Sequence, residues 1–143
     1  MYLRNLKTND PIRAAIESVS PKELKSIVKN KAEFCEFDWG LEKDKEVYKL
    51  FRTDTGEVLG LMSILDNSQS HYVEIKLLEV GQSNVGSGKE IEGIAGCLIA
   101  WACRLSFVLG HHGWIMLTAK TNLIEHYKKK YGMLQVGNSK HAI

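Results

Sequence analysis

The run Tyr72-Val73-Glu74-Ile75-Lys76-Leu77-Leu78-Glu79-Val80 decides how this chain folds, together with the loop, helix and strand after it. The loop bears glycines, the helix opens at Gly93-Ile94-Ala95-Gly96-Cys97-Leu98-Ile99-Ala100-Trp101, and the apolar run Trp114 to Ala119 reads as the second strand. A strand, a helix and a strand in that order form a crossover, which lays the two strands side by side in parallel. The helix therefore begins at the carboxyl end of a strand. Its first amides lack intrahelical acceptors and carry the positive end of the helix dipole, so the position suits an anion, a phosphate above all. Two phosphate motifs fail on this loop. Gly86-Ser87-Gly88-Lys89 has the Gly-Lys of a nucleotide-binding P-loop, but Ser83 stands where its first glycine belongs, and Glu90 stands where Ser or Thr would hold magnesium. A dinucleotide fingerprint on Gly86 and Gly88 needs a third glycine at the place of Ile91.

What remains is Glu90-Ile91-Glu92-Gly93-Ile94-Ala95. Here the sequence resembles the GNAT superfamily of acyl-CoA-dependent N-acyltransferases. Their pyrophosphate loop reads Gln or Arg, two residues, Gly, one residue, then Gly or Ala. Gly93 and Ala95 fit its last two positions, and Glu90 takes the place of Gln or Arg. Small residues there let backbone amides approach a diphosphate without an intervening side chain. The stretch Asn122-Leu123-Ile124-Glu125-His126-Tyr127-Lys128-Lys129-Lys130-Tyr131-Gly132-Met133 resembles the terminal helix of the same family, with its tyrosine and lysine before glycine and Phe or Met. The matching pieces run from Val47 to Met133. The resemblance implies an α+β (mixed α/β) fold of three layers: a mostly antiparallel central sheet, one parallel strand-helix-strand crossover and flanking helices.

It also implies a chemistry. An amine attacks the thioester of acetyl-CoA directly, a base takes the amine proton, and an acid protonates the leaving thiolate. Leu78, Glu79 and Val80 are the expected backbone contacts of the pantetheine arm. Lys89, Gly93, Ile94, Ala95 and Gly96 form the expected pyrophosphate site. Tyr127 matches the family tyrosine that acts as acid, or else packs on the apolar stripe of its helix. Glu79, at the carboxyl end of its strand, is the first candidate for the base and Glu74 the second; either could instead be a solvated or hydrogen-bonded strand carboxylate. Glu90 and Glu92 put two carboxylates beside the helix start, with Lys89 offsetting one. They favour the alternative of a GNAT-like binding or interaction module that has lost CoA.

Composition is that of a globular protein: 143 residues, 44% hydrophobic and 25% charged. Residues 1–143 read as one domain, long enough to bury a core without metal or disulfide help. A net charge of +2 is too mild to argue for nucleic acid. The cysteines Cys35, Cys97 and Cys103 form no framework and read as reduced, buried thiols of a cytoplasmic protein. Met1 to Lys7 lacks the apolar core of a signal peptide, and the run Ile94 to Leu109, interrupted by Arg104, is too short to cross a membrane. The turn His111-His112 has no third ligand at a usual spacing, so no metal is expected and the pair reads as exposed.

Taken in order, Asp10-Pro11 resembles a cap with proline at the first helical position. Ile12, Ala15, Ile16 and Val19 then share a helical face, which predicts a first helix. Ser20-Pro21-Lys22-Glu23 is a capping box, with Leu24, Ile27 and Val28 as the apolar stripe of a second helix to about Lys31. Two short helices imply, by the resemblance, a small or open groove for the acceptor, a small-molecule or protein amine. Phe34 to Trp39 reads as a short strand or an apolar plug. Glu46 to Arg52 and Val58 to Leu65 form a hairpin through Thr53-Asp54-Thr55-Gly56. The crossover helix, apolar nearly all round, is expected to pack on two sides, with a second copy of the chain among the partners its outer face admits. Met133 to Val136 is a candidate strand, after which the last strand of the family looks shortened or missing.

Overall fold

Alternation rather than helical periodicity governs the N-terminus. In the computed structural model, which describes residues 1–29, 32–34, 37–42, 46–118, 124–136 and 140–142, strands β1 (Tyr2–Asn5) and β2 (Pro11–Ser18) form an antiparallel hairpin. The expected first helix is thus a strand. Ile12 and Ala14 are buried while Pro11 and Arg13 are exposed, a period of two in place of 3.6. Pairing explains the outcome. β2 is hydrogen-bonded on one side to β1 and on the other to β3 (Glu46–Arg52), and Pro11 sits at the first residue of the strand, where a missing N–H costs least. The turn is built by Asn5, whose Oδ1 accepts from the amides of Lys7 and Thr8.

The capping box forms in its first half. Helix α1 (Pro21–Ile27) is capped by Ser20, whose side chain accepts from the Glu23 amide, but the Glu23 carboxylate turns to Lys49 instead of reaching back. Among the described residues one α-helix therefore precedes β3 where two were expected. No strand occurs at Phe34 to Trp39 among the described residues; Trp39–Glu42 is a single turn of 3-10 helix, and the plug reading holds. The hairpin of β3 and β4 (Val58–Asn67) and β5 (Tyr72–Val80) are as read from the sequence, except that β4 runs two residues beyond Leu65. β6 (Ile91–Glu92), α2 (Ile94–Val108), β7 (Ile115–Thr118), α3 (Ile124–Tyr131), β8 (Leu134–Val136) and β9 (Lys140–Ala142) complete the chain. The last strand is present but short. Asn122, Leu123, Cys35 and Ala119 lie outside the described residues.

The chain forms two compact units, Met1–Ser63 with Leu77–Leu98 and Ile64–Lys76 with Ile99–Ile143, so that β4, β5 and α2 contribute to both. In the first unit the strand order is β6-β1-β2-β3-β4-β5. β4 is buried from Leu59 to Ile64 on both its faces, as a central strand must be. On one face Leu61 packs with Leu24 of α1, Phe34, Trp39 and Val47, and Leu77 of β5 joins them. Each such side chain contributes roughly 1.5–3 kcal/mol on burial. On the other face Gly60 meets α2. A Cβ there would lie 2.9 Å from Ile94 Cγ2 and 3.1 Å from Leu98 Cδ1, so the absence of a side chain sets how closely the helix approaches. Helix, sheet and helix are the three layers expected.

In the second unit the order is β4-β5-β7-β9-β8. β5 and β7 are parallel, Val73 opposite Ile115 and Ile75 opposite Leu117, which is the crossover pairing read from the sequence. β9 runs antiparallel to β7 and to β8. Here α2 departs from expectation: Arg104, Phe107 and Val108 are exposed, so its end is not packed on two sides. His111 also departs, being buried with Nε2 2.6 Å from Asp66 Oδ1, whereas His112 is exposed. Cys97 and Cys103 are free and half-buried rather than fully buried.

Candidate functional site

The start of α2 is assembled by the segment between β5 and β6. Gly81 donates to the Leu59 carbonyl, continuing the ladder, and two 3-10 turns come next, at Gln82–Asn84 and Gly86–Gly88. Glu33, in the loop after α1, holds this segment. Its carboxylate accepts from the Ser83 amide at 2.7 Å and from the Ser83 hydroxyl, and its carbonyl accepts from the Gln82 amide. The buried Asn84 closes the loop, Oδ1 accepting from the amides of Ile91 at 3.0 Å and Glu90 at 3.3 Å. β6 then pairs with β1, Arg4 opposite Glu92 and Asn5 opposite Ile91. The chain enters α2 through Gly93 at φ +99°, a conformation strained for any other residue. The Gly93 carbonyl accepts the first helical bond, from the Cys97 amide, which leaves the amides of Ile94, Ala95 and Gly96 without intrahelical acceptors.

Charge at this helix start is arranged differently from what the sequence implied. No acidic residue lies in the first turn. Glu90 pairs with Lys7 at 3.0 Å and Glu92 with Arg4, both cations belonging to the β1 segment. These pairs are exposed and worth about 0–1 kcal/mol each in stability. Their consequence is electrostatic: each carboxylate that could compete for the helix dipole is matched by a cation.

Glu79 is buried on the same face of β5 as Val73, Ile75 and Leu77, and its Oε1 accepts from Trp39 Nε1 at 2.8 Å. Leu78 and Val80 are half-buried on the opposite face, and Lys89 is half-buried in the loop. Gly60 lets the Glu79 backbone and the α2 start approach each other, since a Cβ there would lie 3.4 Å from the Glu79 backbone carbonyl and 2.9 Å from Ile94 Cγ2; the Glu79 carboxylate itself is turned to Trp39. Glu74 pairs with Lys76 on the other face of β5. Tyr127, on α3 in the second unit, is buried against Tyr131 with ring centroids 6.0 Å apart. Burial pushes its phenol above the ordinary value of 10.0, so it is protonated at neutral pH. Tyr127 stands five residues before Gly132 where the family motif has four, about 100° further round a helix. Trp39, Glu33 and Gly60 were not legible as site residues, since their partners are distant in sequence; Asn84, whose partners are six and seven residues on, was missed although it is local.

Two cavities flank these elements. One of about 550 Å³, in the first unit, is lined by Pro21, Lys22, Leu24, Lys25, Val28 and Trp39. The other, about 660 Å³ in the second unit, lies at the amino ends of β5 and β7 beside His71, His111 and Trp114. Ligands of parallel strand-helix-strand units sit at carboxyl ends, so the second cavity is not the candidate site. Among the described residues no group of three or more His, Cys, Asp and Glu could hold a metal ion.

No family model and no curated protein matches the sequence. Solved structures do. SpeG, the spermidine/spermine N-acetyltransferase of Vibrio cholerae, superimposes with a TM-score of 0.66 at 13% identity, over 92% of this chain and 94% of that one. An acyl-CoA N-acyltransferase from Pseudomonas aeruginosa gives 0.62 at 17%, over 92% and 97%. The chain has the GNAT fold. AtaTR bound with acetyl-CoA also shares the GNAT fold with this chain, with a TM-score of 0.56 at 16% identity over 91% and 92%. In the GNAT framework β5, the segment through Gly93 and α2 are the elements that the sequence singled out first. No helix among the described residues is long and apolar enough to cross a membrane.

Proposed function

We propose that this GNAT-fold protein is an N-acetyltransferase that passes an acetyl group from acetyl-CoA to an amine by direct attack, and that it works in the cytoplasm. The observation that carries the reading is the start of α2. Three amides without intrahelical acceptors lie beside a glycine at φ +99°, with no acid in the first turn and both nearby carboxylates paired to Arg4 and Lys7. These residues fit a diphosphate. Gly93, Ile94, Ala95 and Gly96 would hold it through the backbone and Lys89 through its charge, while Leu78 and Val80 would line the pantetheine arm. Free Cys97 and Cys103 accord with a reducing compartment.

Acetyl-CoA, when bound, supplies the thioester carbon to which the amine nitrogen bonds as the carbon–sulfur bond breaks. Glu79 is assigned the amine proton, through direct reach or one water. Trp39 fixes its carboxylate by donating to Oε1. Tyr127 is assigned as the donor of a proton to the thiolate, the role that the resemblance implies for it.

Isothermal calorimetry tests the reading. Wild-type protein should bind acetyl-CoA, and Gly93→Val, which places a branched side chain at φ +99°, should abolish binding while the circular dichroism spectrum is retained. Wild-type protein that binds neither acetyl-CoA nor CoA would leave only a GNAT-fold interaction module.

A further inference from the structure

The loop that leads to the start of α2 cannot cap its own first turn. Gly81, just before the 3-10 turn Gln82–Asn84, has no side chain with which to accept from the amides that open the turn. Glu33 supplies both acceptors from another part of the chain. Its carbonyl accepts from the Gln82 amide at 2.9 Å and its carboxylate from the Ser83 amide at 2.7 Å, as a capping side chain would. The Ser83 hydroxyl adds a further contact, 2.8 Å from Oε1 and 2.9 Å from Oε2. The turn then closes with the Asn84 amide on the Gly81 carbonyl, and the Asn84 side chain passes the hold on to the amides of Glu90 and Ile91. Gly93 follows two residues after Ile91. A connected path of hydrogen bonds and short chain segments thus runs from Glu33 to the entry of α2.

A second observation singles out the same carboxylate. Gly81 has φ −55° and ψ 142°, a conformation open to every residue, so its backbone does not require glycine. Space does. A Cβ there would lie 2.6 Å from Glu33 Oε1 and 3.1 Å from its Cδ and Cγ, so a side chain at this position would displace the carboxylate from Ser83. The clamp also has a firm footing, because the next residue, Phe34, is buried in one cluster with Leu24, Trp39, Val47 and Leu61.

Resting on the acetyltransferase reading, we propose that Glu33 is a positioning residue for acetyl-CoA, acting through Ser83 and Asn84 to set where the amides of Ile94, Ala95 and Gly96 lie, and that Gly81 is glycine in order to admit the Glu33 carboxylate. The role is geometric. It needs an acceptor oxygen at Ser83 and not a negative charge.

Calorimetry with acetyl-CoA on Glu33→Ala, Glu33→Gln, Gly81→Ala and the Glu33→Ala, Gly81→Ala double variant tests this. Glu33→Ala should weaken affinity roughly tenfold, the effect of one charge-assisted hydrogen bond. Glu33→Gln keeps an acceptor for the Ser83 amide and should stay within about twofold of wild type. Gly81→Ala should match Glu33→Ala, and the double variant should be no weaker than Glu33→Ala, because both substitutions remove the same contact. Hydrogen exchange should quicken at the Ser83 and Ile91 amides of Glu33→Ala and Gly81→Ala, with Val28 in α1 and Cys97 in α2 unchanged. Unchanged affinity in Glu33→Ala, a Glu33→Gln variant as weak as Glu33→Ala, losses that add in the double variant, or faster exchange that extends to Val28 and Cys97 would each overturn the positioning role while the acetyltransferase reading stands. Wild-type protein that fails to bind acetyl-CoA would overturn both.

Discussion

Tyr127 is a packed residue to which the proposed mechanism also gives a proton to donate. Its ring is buried against Tyr131, and the same burial pushes the phenol above its ordinary value of 10.0. Replacing Tyr127 with Phe keeps the packing and removes the proton. The expected outcome is a fall in kcat of about 10²-fold or more, the typical contribution of a positioned acid, with acetyl-CoA affinity changed less than twofold. Steady-state kinetics alongside calorimetry reads both numbers, and an unchanged kcat would leave Tyr127 a core residue. Glu79 is the complementary case, a carboxylate whose burial is made tolerable by the indole donor of Trp39. Its place at the carboxyl end of β5 singles out Glu79 in the sequence, but its partner lies forty residues away, and nothing local announces it.

The loop between β5 and α2 is held by Glu33 at Ser83 and closed by Asn84. Asn84 accepts from two successive amides, those of Glu90 and Ile91, and thereby fixes where β6 begins and how the chain enters Gly93. Asn84→Ala should leave those donors short of an acceptor, at a cost of about 1–3 kcal/mol, and should weaken acetyl-CoA affinity because the α2 start loses its support. Hydrogen exchange at the Ile91 amide and calorimetry on the variant check both effects; unchanged protection with unchanged affinity would remove Asn84 from the site. The same element explains why carboxylates at Glu90 and Glu92 read as a threat to anion binding in the sequence. Helix-dipole reasoning sees neighbours along the chain, whereas Arg4 and Lys7 come from a hairpin whose sequence pattern resembles a tail and a helix. Asn5 and Asn9-Asp10-Pro11, a run of turn formers, are the local signal of that hairpin.

Stability of the whole chain should fall at alkaline pH, and the sign comes from Tyr48. Burial first, then the nearby Glu46 carboxylate, pushes this phenol up to about 12. In the unfolded chain it loses its proton near 10, so between pH 10 and 12 the unfolded state binds fewer protons and unfolding becomes easier as pH rises. The stabilisation is complete below pH 10 and disappears through pH 12. Melting temperature recorded from about pH 9 to 12 should drop less steeply for Tyr48→Phe than for wild type; identical slopes would place the phenol in ordinary solvent.

Taken alone, the amino-acid sequence settled the elements whose patterns are local: the β3–β4 hairpin at Thr53-Asp54-Thr55-Gly56, the β5 strand, the crossover helix and the glycine at its start. Each rests on turn chemistry, alternation or a run of apolar residues within a few positions. Tertiary structure decided the rest. β2 became a strand because β1 and β3 offered ladders on both its edges, which outweighs a helical face of four residues. Trp39 became a plug joined to Glu79, and Arg4 and Lys7 became counter-ions of the α2 start, because long-range pairing brings together groups whose separation in sequence carries no signal.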